Sequence, residues 1–283
     1  MEDVVKQNQR IRHPGALVLA GLLICAGGGW ATAADKPAPK PAATAESTQE
    51  QVIGPQVDLL LRQMGDYLKS AKEFSVHVDV LYDDLLASGQ KIQLAAYDDI
   101  AVRRPDRFRV RYRTDTGGKR AWYDGKTFTL LDEAHGTYAT EQTPAGIDAT
   151  LDYLITQLGF TPPLSDLLYS DPYAILKQHA VFGFYAGLSE VEGAPCHHLA
   201  FVAKNVDWQL WIDDGKLPLP RKFVITYKTL PGAPQYMAVL SDWDFASRLP
   251  DSAFGAALPP KAERIDFLKA VASGKKEQAK KAP

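Results

Sequence analysis

Alternation of apolar and polar residues is the clearest signal along the chain. In Arg107–Arg113, Phe108, Val110 and Tyr112 occupy every second position, and arginines occupy the others. A period of two places these sets on opposite faces of a β-strand, one apolar and one exposed. Comparable runs predict further strands at Phe74–Tyr82, Lys91–Val102, Arg120–Leu131, Thr137–Glu141, Val181–Val191, Cys196–Ala203, Asp207–Lys228 and Tyr236–Phe245.

Short turn sequences join several of these strands. Asp124-Gly125 divides one run, and Asp213-Asp214-Gly215 divides another. Asp and Gly favour hairpin turns because both tolerate positive φ. Strands joined in this way pair antiparallel, so the pattern predicts a mainly antiparallel sheet with one apolar face.

Apolar residues at three- and four-residue spacing predict helices at two places in the chain. Val57–Ala71 carries one apolar stripe, and Ile147–Leu158 carries another that ends at Gly159. Leu164–Tyr169 and Pro172–Gln178 are predicted as two shorter helices. A sheet with one apolar face must bury it against another layer, and these helices are the available cover. The predicted class is therefore α+β.

The N-terminal segment has the three parts of a signal peptide. Lys6, Arg10 and Arg12 precede the short apolar run Ala16–Ile24, and Ala31-Thr32-Ala33 has the small-x-small pattern of a cleavage site. The sequence therefore predicts export to the periplasm, with residues 1–33 removed by cleavage after Ala33.

Two rival interpretations of this segment stay open. Cys25 could be a lipoprotein anchor, but Ile24 disfavours this because lipoprotein processing requires a small residue before the cysteine. An uncleaved membrane anchor is the second rival. We predict a Pro/Ala-rich disordered linker at residues 34–51, one folded domain at 52–268 and a disordered basic tail at 269–283.

Composition and charge exclude some functions. The chain of 283 residues is 46% hydrophobic and 23% charged, as is usual for a soluble domain, and its net charge is −2. This balance gives no field that would attract nucleic acid, so no nucleic-acid partner is expected. We expect a monomer.

Catalytic and metal-binding patterns are weak. In Cys196-His197-His198, adjacent strand residues point to opposite faces, which makes a shared metal ion difficult. The carboxylate pairs Asp83-Asp84, Asp98-Asp99 and Asp213-Asp214 are expected at strand ends or turns, where Asp bonds nearby backbone. No nucleophile elbow, zinc-protease motif or phosphate-binding loop is present. We predict a non-enzyme without metal or cofactor, and keep a hydrolase using Cys196 or a histidine as a minor alternative.

The arginines have two interpretations. They could pair with acidic residues on the outer face of the sheet, which the near-neutral net charge favours. Alternatively, they could form a basic strip that meets anionic headgroups or an acidic partner. The residues concerned are Arg103, Arg104, Arg107, Arg109, Arg111 and Arg113.

Two motifs carry a resemblance to a known family. Trp122-Tyr123-Asp124-Gly125 and the segment Trp208–Phe223, within a helix–strands–helices–strands order, resemble the lipoprotein-carrier superfamily of LolA, LolB and the LppX-type lipoproteins. More narrowly, the chain is similar to a predicted periplasmic family, domain of unknown function 2092. The resemblance covers about residues 52–268 and implies a curved, incompletely closed antiparallel half-barrel, with helices over its concave face and a cavity for acyl chains.

The predicted function is binding of a lipid or lipidated ligand, with a membrane or lipoprotein partner possible. Alternation alone favours a packed core, which would make the protein an interaction or scaffold module of the envelope, and both interpretations stay open. The residues predicted to line the cavity, by alternation, are Phe108, Val110, Trp122, Phe128, Leu154, Trp208, Leu210, Phe223 and Ile225.

Overall fold

The structure is a computed structural model that describes residues 52–162 and 164–267. The predicted signal peptide, Cys25, the predicted linker at 34–51 and the predicted tail at 269–283 lie outside the described residues. Within the described part, none of the helices combines the length and the apolar character that a membrane span requires.

Three α-helices form where the sequence predicts them. Helix α1 (Pro55–Ser70) begins with proline, which fits the first turn because its missing N–H would lack a helical partner anyway. Helix α2 (Ile147–Leu158) ends at Gly159, whose left-handed φ of 64° closes the last turn. In α3 (Pro172–His179), the Asp171 side chain accepts a hydrogen bond from the backbone N–H of Ala174 and caps the helix. The shorter helix predicted at Leu164–Tyr169 is a 3₁₀-helix, Ser165–Leu167.

The strands alternate with these helices in two groups. The first group comprises β1 (Val52–Ile53), β2 (Glu73–Leu85), β3 (Lys91–Arg103), β4 (Arg107–Thr114), β5 (Gly117–Tyr123), β6 (Thr127–Asp132) and β7 (Thr137–Gln142). The second comprises β8 (Ala180–Val191), β9 (Ala194–Ala203), β10 (Val206–Asp213), β11 (Pro220–Tyr227), β12 (Gln235–Asp244) and β13 (Glu263–Arg264).

These strands form one sheet in the order β1-β8-β9-β10-β11-β12-β2-β3-β4-β5-β6-β7-β13. Neighbours within the sheet pair antiparallel, and only the two short edge strands pair parallel, β1 with β8 and β13 with β7. The edges do not pair with each other. The fold is therefore a curved, incompletely closed antiparallel half-barrel with helices over its concave face, as the resemblance implies.

An Asp-Gly turn sets the hairpin of β5 and β6. The Asp124 carboxylate accepts hydrogen bonds from the backbone N–H groups of Lys126 and Thr127, at 3.0 and 2.8 Å. Gly125 takes a φ of 97°, which favours glycine. This turn fixes the register of β5 against β6, and with it the face on which each later side chain lies.

The main core lies between the concave face and the helices. Helix α1 buries Val57, Leu61, Met64 and Leu68 in it, and none of these side chains is more than 1% exposed. Contact between α1 and α3 is close at Gly65, where an added Cβ would lie 2.5 Å from the Cβ of Tyr173. The helices are thus fixed to each other as well as to the sheet.

Candidate ligand-binding cavity

A cavity of about 570 Å³ lies between the concave face of the sheet and the helical cover. Its walls come from β2 to β6, from β11 and β12, and from α2 with the segment that follows it. The register of β3, β4 and β5 sets side chains in rows across its floor, since paired residues on neighbouring strands share a face. Two such rows define two chemically different ends.

The end near α2 is apolar. Helix α2 lies beside the β3–β4 connection, where the backbone N–H of Ile147 donates to the Pro105 carbonyl at 3.0 Å. From here Leu151 and Leu154 reach the cavity. The other apolar side chains that line the cavity are Ile100, Phe108, Val110, Ala121, Phe128, Leu130, Phe160, Pro162, Leu168, Leu230 and Pro234.

The opposite end is polar. Asp98 of β3 pairs with Tyr112 of β4, which pairs in turn with Lys119 of β5, and all three line the cavity. This row lies four residues along the strand from Phe108, or about 13 Å at the usual rise per residue. The other polar residues lining the cavity are Tyr82, Asp83, Ser165, Tyr227, Gln235 and Tyr236; of these, Ser165 comes from the 3₁₀-helix.

Asp98 is the most unusual group in the cavity. It is 9% exposed, and burial, together with the neighbouring charge of Asp99, raises its pKa to about 7. Burial and a hydrogen bond with Tyr82 raise the pKa of Tyr112, and burial raises that of Tyr236. The polar end therefore holds neutral phenols around a carboxyl group that titrates near neutral pH.

Four of the residues predicted to line the cavity do so. Phe108, Val110 and Phe128 contribute from the sheet, and Leu154 contributes from α2. They belong to the apolar end, where the alternation of β4 and the spacing of α2 gave strong signals. Whether they contact a ligand remains a prediction.

Another four predicted residues lie on the concave side but outside the cavity lining. The ring of Trp208 stacks on that of Phe201 at 3.8 Å and lies parallel to that of Phe223 at 5.5 Å. Leu210 is fully buried in the same core, and Ile225 packs against it. Around β10 and most of β11 the half-barrel is therefore filled, and the cavity lies mainly against β12 and β2 to β6, reaching β11 only at Tyr227.

Trp122 corrects the prediction. The residues that flank it on β5, Ala121 and Tyr123, face the cavity and the main core, so Trp122 faces the other side of the sheet. In register it lies between Arg109 and Thr129. The inward orientation predicted for Trp122 was therefore wrong, because in β5 the residues of the opposite phase, Ala121 and Tyr123, lie on the concave side.

The placement predicted for the carboxylate pairs was wrong for Asp98-Asp99. Both residues lie within β3, not at its end. Asp98 points into the cavity, whereas Asp99 lies on the outer face, where it accepts a hydrogen bond from His77 at 2.8 Å and pairs with Arg113 at 3.1 Å. The sequence contained a signal for Asp98: it interrupts the apolar phase that includes Ala96, Ile100 and Val102.

The hydrolase alternative finds no support at Cys196. The thiol is fully buried, donates to the Ala194 carbonyl at 3.4 Å, and has its pKa raised by burial. It packs in a small cluster with Trp211. His197 bonds Tyr185 and Asp214, whereas His198 stacks on Trp211, so the pair separates between the two faces. Within the described residues, no three His, Cys, Asp or Glu side chains converge on a common metal position.

Most of the arginines have partners. Arg103 bonds Glu73 at 3.1 Å and Asp251 at 2.6 Å, and Arg104 donates to the Leu168 carbonyl at 2.7 Å. Among the described residues, Arg109 and Arg111 have no acidic partner within ion-pair distance, whereas Arg107 and Arg113 do. Pairing on the outer face therefore accounts for much, though not all, of the arginine-rich strand.

Several solved structures share similarity with this chain at low sequence identity. An uncharacterized conserved protein from Thermus thermophilus is 9% identical, covers 75% of this chain and 99% of its own, and gives a TM-score of 0.45. The Mycobacterium tuberculosis lipoprotein LppX is 10% identical over 69% of this chain and 99% of its own, with a TM-score of 0.37. A LolA superfamily protein from Nitrosomonas europaea is 10% identical over 70% and 96%, also with a TM-score of 0.37.

No curated protein matches the sequence. A family model does match, over residues 57–268, which includes all but the first two residues of α1, the cavity and nearly all of the sheet. The chain belongs to the family described as predicted periplasmic protein (DUF2092).

Proposed function

We propose that this protein is an exported, non-enzymatic binding protein that holds a lipid, or the acyl chain of a lipidated ligand, in the concave cavity. The observation that carries the proposal is the cavity of about 570 Å³ with its largely apolar lining. Ligand sites commonly have this size and lining. Each methylene transferred from water into such a site contributes about 0.8 kcal/mol. Periplasmic export is part of the proposal and agrees with the description of the family.

The concave side has a packed half and an open half, which supports a binding role for the open one. The aromatic stack of Phe201, Trp208 and Phe223 fills one part of the concave side, and the open volume lies in the rest. A scaffold module with a fully packed core, the alternative raised by the sequence, would not need that volume.

Native mass spectrometry of the protein purified from its own host tests the proposal. We expect a bound species with the mass of a lipid, released on activation. Ala121→Phe should abolish it, because Ala121 lines the cavity and the added ring would occupy the volume. Ala95→Phe is the matched control, since Ala95 is exposed on the same sheet. Repeated recovery of lipid-free wild-type protein would contradict the proposal.

A further inference from the structure

Asp98 is buried without a hydrogen-bonding partner among the described residues. Its side chain lines the cavity, is 9% exposed, and makes no hydrogen bond to another described residue. A buried carboxylate without a partner is costly to the fold, and such groups are normally paired or bonded. The cavity is the open side from which a partner could reach it.

The surroundings of Asp98 supply neutral hydrogen-bonding groups. Tyr112 is next to it in register, and Tyr82 bonds to Tyr112. Tyr236 is close enough for the charge of Asp98 to raise its pKa, after the larger effect of burial. Lys119 is the cation in this row, and it pairs in register with Asp132, whose pKa its charge helps to lower.

We propose that Asp98, with Tyr82 and Tyr112, forms a polar subsite inside the cavity that accepts a hydrogen bond from the ligand's polar group, and that the ligand is a chain amphiphile carrying an amine or a hydroxyl and not a free carboxylate. The inference rests on the proposed function and specifies the ligand class for the same cavity. The apolar end holds the chain, and the row of Asp98 meets the polar group about 13 Å along the strand.

The charge of Asp98 decides between headgroups. Its pKa of about 7 leaves it mainly ionised at pH 8. An ionised carboxylate accepts a charge-assisted hydrogen bond from an ammonium group and repels a second carboxylate. An alcohol can donate to Asp98 while exchanging hydrogen bonds with the tyrosine hydroxyls.

Probes of equal chain length separate these cases. Dodecylamine, dodecanol and dodecanoate would be titrated at pH 8 against a neutral fluorescent probe, N-phenyl-1-naphthylamine, bound to the full-length protein. We expect the amine or the alcohol to displace the probe at a concentration about tenfold or more below that of dodecanoate. If the amine binds more tightly than the alcohol, the preference includes charge pairing. Equal affinities indicate the hydrogen bond alone.

Two variants assign the preference to the subsite. Asp98→Asn keeps the shape and removes the charge, and it should reduce the headgroup preference to about threefold or less. Asp79→Asn removes the same charge from the outer face of the neighbouring strand, and it should leave the preference unchanged. Thermal unfolding confirms that both variants fold.

Three results would overturn the inference. One is dodecanoate binding as tightly as the other probes, and another is a preference that survives Asp98→Asn. In both cases the proposed function stands, because the chains still bind. If neither the fluorescent probe nor any dodecyl compound binds, the proposed function falls together with the subsite.

Discussion

In this fold, the phase of a strand decides on which face of the sheet each of its side chains lies. Trp122 and Asp98 both show this, because the apolar Trp122 faces outward and the acidic Asp98 faces the cavity. Hydrophobicity predicts the side of a sheet on average, but neighbours in the alternation fix it for each position. Asp98 therefore carries a cost to stability that its position in the cavity imposes.

That cost should depend on pH. Asp titrates near 3.9 in an unfolded chain, and Asp98 titrates near 7 in the folded protein. Between these values the folded state holds the extra proton, so the free energy of unfolding falls as pH rises from about 4 to about 7, and levels off above that range. A pKa difference of about 3 corresponds to about 4 kcal/mol of unfolding free energy.

Asp98→Asn removes this dependence. Urea unfolding at pH 4, 6 and 8 should show the variant gaining stability relative to wild type as pH rises, by up to about 4 kcal/mol. Asp166, whose pKa burial also raises, titrates in both proteins and cancels in the difference. Lys119, the tyrosines facing Asp98, and His77 and Asp99 on the outer face are present in both proteins as well. A difference that stays constant across the three pH values would refute the assignment.

At the scale of elements, α1 and α3 pack closely against each other at Gly65. Gly65 approaches the Tyr173 backbone, with an added Cβ only 2.8 Å from its nitrogen. Around it, Lys69 bonds Asp171 at 2.7 Å, and Tyr173 donates to Asp58 at 2.7 Å. The close approach of α1 to α3 is possible because α1 has a glycine, Gly65, at the contact.

Gly65→Ala tests this packing. Alanine favours a helix by about 1 kcal/mol over glycine, but here its methyl group would overlap backbone that cannot move independently. We expect overlap to dominate and the variant to lose about 1–3 kcal/mol in urea unfolding. Gln63→Ala, exposed on the same helix, is the control and should change little. An equal or higher stability for Gly65→Ala would show that α3 is free to shift.

The sequence predicted the elements more completely than their arrangement. Asp124-Gly125 located a hairpin, and Gly159 located the end of α2, because both depend on local backbone preferences. Strands β1 and β13 were missed, since two residues cannot show a period and each pairs with a distant partner. Whether the concave side is filled or open depends on side chains brought together by register, so alternation alone could not separate Trp208 from Val110.

For the whole molecule, stability and binding should reside in different halves of the concave side. Leu210→Ala and Leu130→Ala make the same chemical change, one in the filled half and one in the cavity lining. The first should cost about 2–5 kcal/mol of unfolding free energy, because it opens a void among packed side chains. The second should cost less, because Leu130 already borders open space and is only partly buried.

Binding should show the reverse order. Leu130→Ala removes about three carbons from the cavity wall and should weaken N-phenyl-1-naphthylamine binding by about tenfold, whereas Leu210→Ala should leave the affinity of the folded protein nearly unchanged. Urea unfolding and fluorescence titration of the same two preparations measure both effects. If the two variants lose stability and affinity in parallel, the concave side behaves as a single core, and its division into a structural half and a binding half is wrong.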